Sequence, residues 1–325
     1  MDNTFRTTFN ISEFPYKLNY KSKSLFIGSC FTENIGNYLK ELKFDVKINP
    51  FGIIYNPVSI SKNIDYLINK KQFGVDELVF YNELWFSFHH HGKFSDPDQI
   101  KCLIKINTAI NEFSEFLKQA DFVFLTLGSA YTYTHKSTNQ VVANCHKFPS
   151  DTFVKTLLEP QKIVDDYKNI LANLFSFNNK LKVVFTVSPI RHWKDGATEN
   201  QLSKSVLFVA IHEIIKKTNN CFYFPAYELI MDDLRDYRFY EDDMIHPNIT
   251  ALEYIRNKFT DAIIDEQSQS ILNEIKKLIQ AAKHKPFYPN SQSYKQFKEK
   301  FMEQTKKLRK QYPFLSLNEF EKYFK

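Results

Sequence analysis

The stretch Leu25-Phe26-Ile27-Gly28-Ser29-Cys30-Phe31-Thr32-Glu33-Asn34 decides the fold. A short apolar run stops at a glycine, two small nucleophilic residues follow, and apolar residues at helical spacing come next. This pattern predicts a buried strand over residues 24–27 that turns directly into a helix over residues 33–42. Such a turn exposes the side chains at its tip, and the free N–H groups at the helix start can hold an anion. The stretch alone is equally compatible with an ordinary turn that uses small residues for close packing.

The same alternation of apolar runs and helical spacing continues along the chain. The predicted strands cover residues 44–48, 121–127, 182–187 and 221–224, and the predicted helices cover residues 108–118, 161–174, 203–217 and 251–259. Strands that are apolar without alternation indicate a parallel sheet covered by helices on both faces. The fold class is therefore α/β, with three layers in the order α/β/α. Because ligands bind outside the carboxyl ends of such strands, segments 28–32, 128–133 and 188–193 are expected to carry the site.

A second motif, Asp243-Met244-Ile245-His246-Pro247-Asn248, precedes the predicted helix at residues 251–259. An aspartate three residues before a histidine can orient the imidazole and stabilise its cation. Alone, the motif could be a loop with a surface histidine. Combined with the small residues Ser29 and Cys30 near the start of the chain, it predicts nucleophilic catalysis.

These motifs resemble the GSCFA domain family, which is grouped with the SGNH/GDSL hydrolases. The motif that names the family is Gly28-Ser29-Cys30-Phe31 here, followed by Thr32 in place of the usual alanine. The resemblance covers roughly residues 20–260, and its further motifs lie at residues 49–57, 85–95, 126–131, 144–147, 188–192 and 243–248. It implies a flavodoxin-like three-layer fold and, by analogy with the superfamily, ester hydrolysis or acyl transfer.

Position by position, the resemblance implies that His246 is the general base and Asp243 its orienting partner. The nucleophile stays open between two residues. If Gly28 matches the glycine of Gly-Asp-Ser-Leu, the nucleophile is Cys30; if the match shifts by one residue, it is Ser29. The superfamily's use of serine favours Ser29, whereas the intrinsic nucleophilicity of a thiol at a helix start favours Cys30.

The superfamily holds its oxyanion with the N–H of the nucleophile, a glycine N–H and an asparagine side chain. Gly52 is the candidate glycine. Where the superfamily has Gly-x-Asn, this chain has Gly128-Ser129-Ala130, so the asparagine is missing. Ser129, Asn56 and Asn144 are candidate substitutes. The loss of one donor costs about 3 kcal/mol of transition-state stabilisation, and this departure argues against efficient esterase activity of the superfamily's kind.

Other polar residues follow the strands or the aromatic segment. Arg191 and His192 end a predicted strand at the active edge, and Arg191 could bind a substrate carboxylate or phosphate bidentately or form a structural ion pair with residues 232–236. His146 is a further candidate for substrate binding. His89-His90-His91 could also join His146 or His192 in a metal site, although neighbouring residues of a strand point to opposite faces, so that at most two of the three converge.

Composition narrows the class of protein. The four cysteines form no CxxC pair, which argues against a disulfide framework or a thiolate zinc site. A signal peptide and a membrane span are not expected, because the chain has neither a basic, apolar leader nor about 20 consecutive apolar residues. A cytoplasmic location is therefore expected. From Lys276 onward, 13 Lys/Arg face 4 Asp/Glu, which leaves the rest of this +6 chain mildly acidic. Without groove-reading motifs, the basic tail is interpreted as a solvated helical face rather than a nucleic-acid site.

The sequence thus predicts a GSCFA/SGNH hydrolase-like domain over residues 1–265, with an aromatic insertion at about 55–105. A basic helical C-terminal extension over 266–325 follows. The predicted function is ester hydrolysis or acyl transfer on a small-molecule or carbohydrate ester, without cofactor or metal. Two alternatives stay open: a non-catalytic binding or scaffold module on the same fold, and a metal-dependent hydrolase that uses the histidine cluster. The oligomeric state is not predicted.

Overall fold

The structure is a computed structural model that describes residues 7–325. Its strands, in chain order, are β1 (Lys23–Gly28), β2 (Asp45–Ile48), β3 (Val79–Tyr81), β4 (Leu84–Phe86), β5 (Phe122–Leu127), β6 (Tyr131–His135), β7 (Gln140–Val142), β8 (Phe153–Leu157), β9 (Lys182–Val187) and β10 (Cys221–Tyr223). Its helices are α1 (Cys30–Glu41), α2 (Pro57–Ile68), α3 (Gln99–Gln119), α4 (Pro160–Phe177), α5 (Ala197–Lys217), α6 (Ala226–Glu228), α7 (Ile249–Ile263), α8 (Glu266–Lys283), α9 (Gln292–Gln311) and α10 (Asn318–Phe324).

Five parallel strands form the central sheet in the order β10-β9-β5-β1-β2. Neighbouring residues of β1 contribute to two different cores. Leu25 and Ile27 face a core that helices α2, α3, α4 and α5 cover, whereas Phe26 faces a core that α1, α7 and the C-terminal helices cover. The strands are therefore buried on both faces, and the prediction of a three-layer α/β/α fold is confirmed.

The predicted strands lie within a residue of the observed ones, and β9 has the predicted bounds. Helices begin earlier than predicted: α1 at Cys30, α3 at Gln99 and α5 at Ala197. The first turn of α5, Ala197-Thr198-Glu199-Asn200, is mostly polar and so carries little of the apolar periodicity on which the prediction depends. In α3 the boundary is instead marked by a cap, because the Asp98 side chain accepts the N–H of Lys101.

Two regions differ from the predicted organisation. The segment expected to be an insertion, about 55–105, contains α2, whose Ile60 and Ile64 belong to the main core, followed by the β3–β4 hairpin. A second sheet, antiparallel in the order β7-β6-β8, follows β5 and was not predicted. Residues 55–105 therefore contribute a helix to the main domain as well as an added hairpin.

The C-terminal extension packs on the same face of the sheet as α1. Two separate helices follow each other here, since α7 ends at Ile263 and α8 begins at Glu266. The extension buries apolar side chains that include Ile275 and Phe320 in the core of that face. An ion pair of 2.6 Å between Lys283 and Glu41 of α1 adds a polar contact. Across residues 7–325, none of the helices is both long and apolar enough to cross a bilayer.

Gly28 lets β1 and β5 approach each other at the edge where α1 begins. Its φ of +143° is unfavourable for other residues, and a Cβ atom there would lie 2.2 Å from the carbonyl oxygen of Thr126. Its N–H donates to Asn49 Oδ1 at 2.9 Å, and its carbonyl accepts the N–H of Ile54 at 3.0 Å. Gly28 therefore joins the strand to the loop that follows β2.

Replacing Gly28 with alanine tests this constraint. Gly28→Ala should lower the free energy of unfolding by at least about 2 kcal/mol, because the backbone strain and the clash both add to the cost. Gly92→Ala is the matched control, since a Cβ atom there meets nothing within 4 Å, and it should change stability by less than about 0.5 kcal/mol. Urea denaturation measures both variants. Equal stabilities would contradict the proposed role of Gly28.

Candidate active site

The carboxyl ends of β1, β5 and β9 meet around a buried lysine. Lys204, on α5, is 0% exposed, and its Nζ donates to the carbonyl oxygens of Gly128 and Ser188, both at 2.7 Å. Gly128 directly follows β5, and Ser188 directly follows β9. Burial lowers the pKa of Lys204 to about 7, while Cys30 opposes this shift and Arg191 adds to it. The edge predicted to carry the site thus contains an amine that titrates near neutral pH.

The two candidate nucleophiles differ in accessibility. Ser29 is the N-cap of α1 and only 1% exposed, and its Oγ has no hydrogen-bond partner within residues 7–325. Cys30, the first residue of the helix, is partly exposed and has a free thiol. Burial raises the pKa of Cys30, whereas the N–H groups of Phe31 and of Cys30 itself and the charge of Lys204 act in the opposite direction. At the helix start, it is therefore the cysteine that a substrate could reach.

Asp243 and His246 form the pair that their spacing predicts. Asp243 Oδ2 lies 2.5 Å from His246 Nδ1, and Asp243 Oδ1 accepts the N–H groups of Ile245 and His246, both at 2.9 Å. These hydrogen bonds lower the pKa of Asp243 to about 2. The carboxylate makes Nδ1 the protonated nitrogen, so Nε2 can accept a proton. Both side chains are about half exposed.

The catalytic roles of these four residues stay predictions. Within residues 7–325, no hydrogen bond joins His246 to Ser29 or Cys30. The ionisable groups that act on Cys30 are instead Glu33 of its own helix and Lys204 of α5. Cys30 in turn acts on Tyr55, whose pKa is raised mainly by burial. Lys204 is thus a functional candidate that was missing from the sequence prediction.

The sequence around Lys204 contains a pattern that indicates its burial. It lies on the buried side of α5 with Asn200, Ser203 and Leu207, at the spacing i−4, i−1 and i+3. A lysine on the core-facing side of a helix is rare unless its charge is compensated. The apolar periodicity of that helix does not include the polar residues on its buried side, so it gives no indication of Lys204.

The backbone N–H groups predicted for the oxyanion hole already have partners. The N–H of Gly52 donates to the carbonyl oxygen of Asn49 at 2.9 Å. The N–H groups of Gly128 and Ser129 both donate to the carbonyl oxygen of Tyr55, at 2.8 and 3.2 Å. The Ser129 hydroxyl is also engaged, because it accepts the N–H of Tyr131 at 3.1 Å. These groups hold the loop after β2 against the end of β5.

Three further candidates are held by local structure. Asn56 caps α2 through its side-chain oxygen, and Asn144 accepts the N–H of His146 at 2.8 Å. His146 Nε2 lies 3.1 and 3.0 Å from the carbonyl oxygens of Ser87 and His90, and burial lowers its pKa to about 4. Their roles in substrate binding are untested, and each already satisfies a structural hydrogen bond.

Arg191 and the acidic segment at residues 232–236 do not pair. Asp232 binds Arg235 at 3.1 Å, and Asp236 binds Arg238 at 2.7 Å. Arg191 forms no ion pair with any residue that the structure describes, although it lines a cavity of about 640 Å³ that also includes Asp243. The guanidinium is therefore available to a ligand.

His192 is a partly buried, neutral group on the same edge. Burial and the charge of Lys204 lower its pKa to about 4. Its ring packs edge-on against Tyr55 with 5.4 Å between centroids, and its backbone N–H donates to Asn200 Oδ1 at 2.9 Å. His192 thus helps to enclose the site around Lys204.

The histidine cluster packs among aromatic rings. His90 is 1% exposed, and its ring contacts Phe51, Phe73 and Phe94. Neither of its ring nitrogens has a hydrogen-bond partner among the described residues. His89 packs on Tyr66. In the part of the chain that the structure covers, no three His, Cys, Asp or Glu side chains are grouped in a way that could hold a metal ion.

Comparison with known proteins identifies the family. The profile of the GSCFA family matches residues 23–259, and that of the GSCFA domain protein C-terminal domain matches residues 275–325. The chain therefore belongs to the GSCFA family, as its motifs predicted. The curated protein sequences contain no match.

Solved structures with a similar arrangement of elements include three esterases. A family two carbohydrate esterase from Clostridium thermocellum is 14% identical and has a TM-score of 0.36, with 75% of this chain and 64% of that chain covered. A carbohydrate esterase family 3 protein from Talaromyces cellulolyticus is 12% identical, with a TM-score of 0.37 and coverage of 79% and 99%. An acetyl xylan esterase from Butyrivibrio proteoclasticus is 12% identical, with a TM-score of 0.36 and coverage of 74% and 63%.

The pH dependence of stability tests the burial of His90. Burial holds the pKa of this residue well below its ordinary value of 6.5. Below about pH 6.5, the histidine is therefore protonated in the unfolded chain but stays neutral in the folded chain. The stability contributed by neutral His90 is complete above about pH 6.5 and is lost as pH falls. His90→Phe should therefore flatten the loss of unfolding free energy between about pH 6.5 and 5, by up to about 1.4 kcal/mol per pH unit.

Urea denaturation at several pH values measures this slope. Replacing the exposed His212 with glutamine is the control, and it should leave the slope unchanged. A His90→Phe slope identical to that of the native chain would show that His90 is not held neutral in the core.

Proposed function

We propose that this protein is a hydrolase or acyltransferase that acts on esters and uses Cys30 as its nucleophile. The observation that carries the proposal is the position of the Cys30 thiol. It is partly exposed at the start of α1, beside two backbone N–H groups and near the buried amine of Lys204. Ser29, the alternative nucleophile, is closed off from solvent. Because burial raises the pKa of the Cys30 thiol, it needs a neighbouring group that takes its proton before it can act as a nucleophile.

The proposed reaction has two halves. The sulfur of Cys30 attacks the ester carbonyl carbon, a thioester forms, and the alcohol leaves. Water or a second alcohol then takes the acyl group and the thiol is restored. The N–H groups of Cys30 and Phe31 are the proposed oxyanion donors, because they lie at the positive end of the α1 dipole. They replace Gly52, Gly128 and Ser129, whose N–H groups are already bonded.

In this proposal, His246 accepts the proton of the incoming water or alcohol. Asp243 supports that role because it holds Nδ1 protonated and leaves Nε2 as the acceptor. The exposure of both side chains suits a group that meets an acceptor arriving from solvent. Asp243 stays ionised throughout the neutral range, since its pKa is about 2.

Turnover of a chromogenic acetyl ester tests the assignment. Cys30→Ala should reduce the rate to that of a no-enzyme blank, and His246→Ala should reduce kcat roughly 10²- to 10⁴-fold, the usual contribution of a general base. Ser29→Ala is the matched control and should keep activity within a few-fold. If Ser29→Ala were inactive while Cys30→Ala kept full activity, serine would be the nucleophile and the proposal would fail.

The substrate is proposed to lie in the cavity beside Asp243. Its lining includes the aromatic rings of Trp193, Tyr237 and Tyr240, together with the unpaired guanidinium of Arg191. Exposed aromatic rings can stack on the apolar faces of sugar rings, and a free guanidinium binds carboxylate or phosphate oxygens bidentately. We therefore favour an acylated carbohydrate, or a similar small ester, that carries an anionic group.

Two arginines of this cavity allow a matched comparison. Arg191→Met should raise KM for an anionic ester about 10-fold or more, the effect of one hydrogen-bonded charge pair, with little change for a neutral ester. Arg235 lines the same cavity but already pairs with Asp232, so Arg235→Met should change KM by less than about 3-fold. Steady-state kinetics with the anionic and the neutral ester measure KM for each variant. Equal effects of the two substitutions would remove Arg191 as the anion-binding residue.

A non-catalytic binding module is the second candidate. The observation that favours it is the engagement of the N–H groups of Gly52, Gly128 and Ser129, together with the missing asparagine. A binding module would retain ligand affinity but neither turn over the ester nor accumulate an acyl adduct.

A further inference from the structure

A lysine that is fully buried needs compensation for its charge. Lys204 is 0% exposed, and moving an ammonium group out of water is costly unless it finds hydrogen-bond acceptors or a counter-charge. Throughout residues 7–325, no carboxylate forms an ion pair with it. Its hydrogen-bond acceptors are the carbonyl oxygens of Gly128 and Ser188. The two carbonyls account for two of the three ammonium donors.

Among the residues that the structure describes, the third N–H of Nζ has no hydrogen-bond acceptor, although the ring centroid of Tyr227 lies 5.9 Å from Nζ. Among the ionisable groups that act on Lys204, only Cys30 favours its charged form, whereas Arg191 disfavours it. His192 also faces the lysine and is kept neutral by burial. Gly28 pairs with Thr126, which in turn pairs with Thr186. Cys30, Gly128 and Ser188 each lie two residues beyond these positions, at the same edge of the sheet as the Lys204 amine. A Cys30 thiolate is therefore the counter-charge that this edge can offer to Lys204.

The same geometry suits both protonation states of the lysine. As a neutral amine, Nζ has two N–H groups for the two carbonyl oxygens and a lone pair in the remaining position. As an ammonium, it has the same two bonds and a third N–H for an anion. The two carbonyls thus hold Nζ in place while a proton arrives or leaves, which is what a general base requires.

We propose that Lys204 accepts the proton of the Cys30 thiol when the nucleophile attacks. This inference rests on the proposed function only in taking Cys30 as the reactive group. The Sγ–H bond breaks and its proton moves to Nζ, while a sulfur lone pair forms the bond to the ester carbonyl carbon. The carbonyl π electrons move to the oxygen. As they return, the C–O bond to the alcohol breaks, and the alkoxide takes the proton from Nζ.

The charged groups around the pair set its pH dependence. Glu33 of α1 disfavours the Cys30 thiolate, and Tyr55, from the loop after β2, faces the same thiol. Lys204 favours the thiolate, so removing its charge should move thiolate formation to higher pH. Because burial lowers the pKa of Lys204 to about 7, the amine can accept a proton near neutral pH.

Alkylation of Cys30 by iodoacetamide, followed by site-resolved mass spectrometry over a range of pH, tests the proposal without any ester. Two substitutions separate a chemical from a structural role. Lys204→Gln retains two side-chain N–H donors for the carbonyl oxygens of Gly128 and Ser188. Lys204→Met retains no donor. If Lys204 is the proton acceptor, both variants should slow alkylation of Cys30 at pH 7 about tenfold, as expected when the thiol pKa rises by one unit.

The native chain supplies the comparison, and Cys145, a second partly exposed thiol, is the internal control whose alkylation should not change. If Lys204→Gln alkylates like the native chain while Lys204→Met does not, the lysine is a structural tie and the proposal is wrong. Unchanged pH profiles in both variants would also overturn it. If the native chain did not turn over the ester but its Cys30 alkylation depended on Lys204, the proposed function would be wrong. The proton transfer from Cys30 to Lys204 would still be supported.

A second measurement needs no substitution of the lysine. In protein labelled with ¹³C at lysine Cε, the NMR titration of Lys204 should move to lower pH in Cys30→Ala, because the thiolate that favours the ammonium is gone. The assignment follows from the signal that Lys204→Gln lacks. A titration identical in the native chain and in Cys30→Ala would contradict the pairing.

Discussion

The fully buried amine of Lys204 binds the ends of two neighbouring strands. Two carbonyl oxygens, those of Gly128 and Ser188, receive its hydrogen bonds at 2.7 Å. These carbonyls follow β5 and β9, so the lysine fixes the separation of the strand ends at the edge where α1 begins. A charge in such a position is stable only if its surroundings accept hydrogen bonds and supply a negative group. The proposed chemistry of the protein follows from how that requirement is met.

The position of Cys30 depends on a second constraint at the same edge. Gly28 allows the chain to pass close to Thr126 and to turn at once into α1. Ser29 then becomes the buried cap of the helix, and Cys30 becomes its first, partly exposed residue. The helix start brings N–H groups to the sulfur. The close approach of the strands, the dipole of α1 and the buried amine of Lys204 therefore all affect the sulfur of Cys30. These features come from separate segments of the chain.

Much of the fold could be predicted from the sequence because its strands are apolar on both faces. β9 has the predicted bounds, and β5 and β10 differ by a residue. The start of α5 could not be placed by apolar periodicity, since its mostly polar first turn lacks it. The antiparallel sheet of β6, β7 and β8 was missed because its short, mixed strands depend on pairing with each other rather than on a buried apolar run.

The site was predictable only where its contacts are local. The bond between Asp243 and His246 spans three residues, so their spacing was enough to predict it. The bonds that occupy the N–H groups of Gly52 and Gly128 depend on the path of the loop after β2, which no local pattern determines. Lys204 lies more than 170 residues from Cys30 in the sequence, and only the assembled sheet brings the two together.

The most direct test of the account is to trap the acyl group. The protein is mixed with an activated acetyl ester, quenched in acid within the first turnovers, digested and mapped by mass spectrometry. The account predicts an acetyl group on Cys30 that neutral hydroxylamine removes, as it does a thioester. An acetyl group on Ser29, or ester turnover with Cys30 never modified, would contradict it.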